Sequence, residues 1–200
     1  MAQVTWFAVD DALDVIKNKF ALIDAKEKKG IETVIFLQSG CIAQVVRKKD
    51  KVIKRHFRKI LNGLSDNTDS DIIHLVSPVF TTGHFFFAAI SILERKQVLV
   101  QSVGERGEAT MLRLYVGKLC EYLAIPENRI GLPVERLGLR TDRHGSNACA
   151  GYALAIIDEY LASGGNMSNI NTNLTKVHEG ADEWMRWLRQ RDKEKKYNKT

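Results

Sequence analysis

The sequence predicts an α+β domain built on a small central mixed sheet. Three observations carry this reading. Runs rich in β-branched and aromatic residues stand at 33–37, 72–80, 84–93 and 97–103. Around them, apolar residues recur at helical spacing. Glycine pairs, Asn-Gly and proline mark the boundaries between the two patterns. At 200 residues the chain is expected to form one domain with its own core.

The elements follow in order. Asp10 or Asp11 is expected to cap a first helix running to about Lys28, with Leu13, Ile16, Phe20 and Ile23 along one face. Thr33 to Leu37 is a short strand. A basic helix is expected from about Ile42 to Leu61, ended by Asn62-Gly63. The polar stretch Ser65 to Ser70 reads as a loop, and Ile72 to Phe80 as a strand. His84 to Leu93 and Gln97 to Val103 form a hairpin through Glu94-Arg95-Lys96. Glu108 to Ala124 is a helix stopped by Pro126, and Ile130 to Leu139 is extended. Gly145-Ser146-Asn147 opens a helix to about Leu161, stopped by Gly164-Gly165. A last amphipathic helix covers Leu174 to Arg191. The single domain thus divides into a helical, basic part (1–64), a core (65–165) and a C-terminal helix with a basic tail (166–200).

Composition narrows the function. Hydrophobic residues make up 44% and charged residues 27%, as in ordinary soluble domains. There is no 18-residue apolar run, so no transmembrane segment is expected. The first 25 residues carry Asp10, Asp11 and Asp14 and lack the pattern of a cleavable signal peptide. Three cysteines without a Cys-x-x-Cys pair predict neither a disulfide framework nor structural zinc, and the chain reads as intracellular at its place of action.

The net charge of +6 is uneven. Residues 41–60 hold eight Lys and Arg against Asp50, and residues 186–200 hold seven against Asp192 and Glu194. Such clusters attract phosphate-rich ligands or acidic partners. Lys48, Lys51, Arg55 and Arg186 are the candidate anion-binding residues. A solvated helix face and a frayed tail are the alternative. No nucleic-acid motif with aromatic interleaving accompanies the clusters, so no specific nucleic-acid partner is expected.

The segment Ser146-Asn147-Ala148-Cys149-Ala150-Gly151 bears most on chemistry. Ser146 or Asn147 is the expected N-cap. Cys149 then falls in the first turn, where backbone N–H groups and the helix dipole favour a thiolate. Small neighbours leave the sulfur room, and the same amides suit an oxyanion. An inert cysteine at a helix start is the alternative. A thiolate needs a base. His84 is the best placed of the five histidines, at a strand start beside Gly83. Gln101, on the partner strand, is the candidate to orient its ring, with Glu105 or Glu108 as substitutes.

Cys41 competes as nucleophile. With Arg47 it makes Cys-x5-Arg after a strand, as in phosphatase loops. The intervening Ile42-Ala43-Gln44-Val45-Val46 lacks the glycines that expose amides to phosphate, which argues against that reading. Cys120, among Leu114, Leu119 and Leu123, is expected in the core.

The order His84, Gln101, helix, extended segment, Cys149 resembles the papain-like superfamily that joins ubiquitin-like-modifier proteases, the adenoviral protease and the YopJ family of bacterial effector acetyltransferases. Gly83-His84-Phe85, Val98-Leu99-Val100-Gln101, Ala109-Thr110-Met111-Leu112, Ala124-Ile125-Pro126-Glu127 and Leu174-Thr175-Lys176-Val177-His178-Glu179 look most like the YopJ family. The resemblance spans about residues 45–180. It implies the ubiquitin-like-protease fold type, with histidine on a strand and cysteine at a buried helix N-terminus. It further implies a catalytic set of His84, Gln101 (in place of the family's acid) and Cys149.

As a YopJ-type effector, the protein would pass an acetyl group from acetyl-CoA through a Cys149 thioester to Ser, Thr or Lys of a host protein. Inositol hexakisphosphate would be a further ligand and no metal would be needed. It would enter the host cell without a cleavable signal peptide and act in the host cytoplasm. The alternatives are a cysteine protease cleaving a ubiquitin-like modifier, and an inactive relative that only binds a partner.

Overall fold

A computed structural model describes residues 4–23, 31, 33–62, 72–81, 83–94, 96–103, 106–126, 129–131, 148–165 and 174–197. Its elements are α1 (Trp6–Ala21), β1 (Thr33–Phe36), α2 (Cys41–Val46), α3 (Asp50–Asn62), β2 (Ile72–Thr81), β3 (His84–Leu93), β4 (Gln97–Val103), α4 (Arg106–Leu123), β5 (Ile130–Gly131), α5 (Cys149–Ala162) and α6 (Leu174–Tyr197). The five strands lie in chain order, β1-β2-β3-β4-β5. The outer pairs β1–β2 and β4–β5 are parallel, and the inner pairs are antiparallel. The sheet is therefore mixed, as expected.

Alternation along the strands builds two cores. Val76, Phe85, Phe87 and Ala89 face α1, α5 and α6. Leu75, Val79, Phe86, Ala88, Ile90, Val98 and Val100 face α2, α3 and α4. The hairpin β3–β4 sits between both layers, which explains its nearly unbroken apolar sequence. His74 is among the buried polar residues: its Nδ1 lies 3.0 Å from both Ser91 Oγ and Tyr160 Oη. Desolvation there lowers its pKa to about 4.

Four expectations are corrected. The first helix starts at Trp6 and is capped by Thr5, whose hydroxyl accepts from the Ala8 amide. Asp10 and Asp11 lie inside it and serve tertiary contacts. Asp10 accepts from the Ser39 amide at 2.7 Å, and Asp11 pairs with Arg191 and Lys195 of α6. The basic helix is two helices, α2 and α3, broken at 47–49. Ile42 and Val45 of α2 and Ile53 and Phe57 of α3 bury in the same core. α6 continues to Tyr197 because its basic end is held by α1, including a Thr5 Oγ1 to Asp192 bond of 2.6 Å. The N-cap of α5 is Ala148, with no side-chain cap. Ser146, Asn147, the loop 65–70 and most of the extended stretch 130–139 lie outside the described residues. Among the described residues, no helix is long and apolar enough to cross a membrane.

Candidate active site

Cys149 is the first residue of α5, the most apolar of the long helices among the described residues. Tyr152, Ala153, Leu154, Ile156, Ile157 and Tyr160 are all buried, so its N-terminus is fixed against the sheet. α6 clamps it from outside. A Cβ on Gly151 would stand 2.5 Å from the Ala181 carbonyl oxygen and 2.6 Å from Met185 Cγ. No other residue permits that approach. Tyr152 Oη and His178 Nδ1, 2.8 Å apart, tie the same turn to α6.

The sheet brings His84 to this point. β4 ends at Val103, opposite Phe87, so the first residues of β3 have no β4 partner. The Phe85 amide donates instead to Cys149 Sγ at 3.4 Å. The His84 ring and the Ala150 amide also hydrogen-bond the sulfur. Burial pushes the thiol pKa up. The His84 bond, the Phe85 amide, the His84 charge and the Ala150 amide outweigh it, and the thiol titrates below the ordinary cysteine value.

Gln101 does not join them. It pairs with Ala89, five residues along β3 from His84 and on the α5 face of the sheet. At a strand rise of about 3.4 Å per residue that is about 17 Å along the strand. Its carbonyl oxygen is buried without a hydrogen-bond partner, so the expected bond to His84 is not made. The β3–β4 register ends at Phe87 and Val103, and α4 begins at Arg106. Glu105 lies outside the described residues, and Glu108 is in the first turn of α4.

Cys41 also opens a helix and also has a histidine. His56 Nε2 lies 3.9 Å from its sulfur and 2.9 Å from Tyr115 Oη. Burial, then the charge of Asp10, raise the Cys41 thiol to about 11. Burial, then Lys59, lower the His56 pKa. Cys120 is buried as expected, and burial raises it to about 11.

The basic clusters do not converge. Lys48, Lys51 and Arg55 belong to the α2–α3 layer, and Arg186 to α6 on the opposite face of the sheet. An anion site joining the four is thereby excluded. Part of the basic tail serves α1, through Arg191 and Lys195. Among the described residues no cluster could hold a metal ion. The Ala150 amide is one of the helix-start N–H groups expected beside the sulfur; the Phe85 amide, from the strand, is not foretold by the sequence. Backbone donors carry no residue signature, although a hairpin with unequal arms is a signal for unpaired amides.

No protein-family model matches the sequence. No curated protein matches it. Several solved structures are similar, two of which follow. XopD of Xanthomonas, solved as a cysteine-to-alanine mutant, has a TM-score of 0.52 and 9% identity, covering 82% of this chain and 85% of that one. A de-sumoylating protease has a TM-score of 0.51 and 11% identity, covering 93% of this chain and 80% of that one. The likeness is one of fold: an α+β domain with a small mixed sheet.

Proposed function

We propose that the protein is a cysteine-dependent protease acting at the C-terminal tail of a ubiquitin-like modifier. The observation that carries this is the Cys149 sulfur, held by the His84 ring and two backbone amides and titrating below an ordinary cysteine. The thiol proton passes to His84, leaving a thiolate that attacks the scissile carbonyl. His84 then returns the proton to the leaving amine, and water releases the acyl group from sulfur. Phe85, which follows His84, is buried and packs at a tilt against Phe80, ring centroids 4.8 Å apart. The likeness in fold to a de-sumoylating protease favours this reading over acetyl transfer. So does the separation of the two basic clusters, which leaves no joint site for a polyanionic cofactor.

The test incubates the protein with a modifier carrying a C-terminal vinyl sulfone, and separately with labelled acetyl-CoA. We expect a modifier adduct at Cys149, lost in Cys149→Ala, and no acetyl label. Acetyl label on Cys149 would overturn the proposal in favour of acyl transfer, and neither product would favour a binding protein.

A further inference from the structure

A groove of about 300 Å³ lies at the end of β2 that pairs with the start of β3, and plays no part in the chemistry above. Gln44, Arg47 and Lys48 line one side, and Phe80 and Thr81 line the other. It adjoins the site by two links. Thr81 is the register partner of His84. Phe80 packs against Phe85, whose amide donates to the Cys149 sulfur. Arg47 and Lys48 are exposed in the break between α2 and α3 and have no ion-pair partner among the described residues. Unpaired cations near the strand end that holds His84 attract negative charge, and a groove with an aromatic and an amide wall admits an extended chain.

We propose that this groove seats an acidic stretch of the protein substrate next to the scissile bond. The proposal rests on the protease reading and adds a substrate preference to it. A peptide with several Asp or Glu near the cleavage point would place carboxylates on Arg47 and Lys48 and an amide on Gln44. A bidentate Arg47 contact would fix the register of the chain.

The test measures binding to the Cys149→Ala protein, so it does not depend on turnover. The probes are two fluorescein-labelled decapeptides of Gly and Ser, one with four central Glu and the other with four Gln. Fluorescence anisotropy at low salt should give about tenfold tighter binding of the Glu peptide. The preference should vanish in R47E/K48E, fall partway in R47Q/K48Q, and persist in K54E/R58E, which reverses charge on α3 outside the groove. Raising salt to 0.5 M should shrink it. Equal binding of the two peptides would overturn the proposal. So would an equal loss in K54E/R58E, which would mean diffuse net charge. A decathymidylate that binds more tightly and depends on Arg47 and Lys48 would reassign the groove to nucleic acid. Failure of the protease reading shows separately, as absence of a vinyl sulfone adduct in the wild-type chain.

Discussion

Cys149 and Cys41 are two versions of one arrangement. Each opens a helix, and each has a histidine in reach. Their thiols nevertheless move in opposite directions, Cys149 below its ordinary value and Cys41 up to about 11. Burial acts on both in the same sense, so it is not the discriminator. Cys149 receives two amide bonds and an imidazole bond. Cys41 has one long contact to a ring nitrogen that also faces Tyr115, and the charge of Asp10 nearby. A helix start alone contributes about 0.3–1 kcal/mol toward a thiolate. Convergent donors on the sulfur decide which cysteine can react.

The largest effect expected from this contrast is on catalysis. Cys149→Ala should abolish cleavage, and His84→Ala should lower kcat by about 10²–10⁴-fold. Cys41→Ala should leave kcat within a factor of about two. Steady-state kinetics on a modifier–peptide fusion would check all three, and a large loss in Cys41→Ala would reverse the assignment.

His74 extends the contrast to a histidine with no sulfur beside it. Its folded pKa is about 4, against 6.5 for the free ring. Above 6.5 the ring is neutral in both states and its contribution to stability is complete. As pH falls, the unfolded chain takes up the proton first, so stability drops between about 6.5 and 4. The full loss is about 3 kcal/mol by linkage. Urea denaturation at pH 7 and pH 4.5 should show this slope, and His74→Gln should flatten it.

Next in size is the clamp on α5. Gly151→Val forces side-chain atoms into the Ala181 carbonyl and Met185. Overpacking of this kind costs about 1–3 kcal/mol, and the helix start carrying Cys149 should shift with it. A lower Tm with slower alkylation of Cys149 is expected. An unchanged alkylation rate would mean that α6 does not position the sulfur.

The smallest effect is a deliberate null. Gln101→Glu should leave the pH profile of Cys149 alkylation unmoved, because Gln101 lies opposite Ala89 rather than beside His84. A clear downward shift of the profile would return Gln101 to the site.

The hairpin and the dyad were legible because their signals are local. Apolar runs bounded by Gly83 and by Glu94 to Lys96 fix β3 and β4, and small residues around Cys149 mark a helix start. Gln101 falls opposite Ala89 because the register runs from that turn, where Leu93 faces Gln97, back along β3. The break at 47–49 has no proline or glycine to announce it. It follows from how Val45 and Ile53 reach a shared core. Asp10 and Asp11 imitate a cap in sequence, but their partners are Ser39, Arg191 and Lys195, far along the chain. Contacts of that separation leave no local pattern.

The most direct measurement is alkylation by iodoacetamide across pH 5 to 11, with the modified cysteine identified by peptide mass mapping. The account predicts that Cys149 reacts first, with a midpoint below the 9.0 of an ordinary cysteine. Cys41 and Cys120 should stay unmodified until the pH nears 11. Preferential modification of Cys41, or a Cys149 that resists the reagent at every pH, would contradict it.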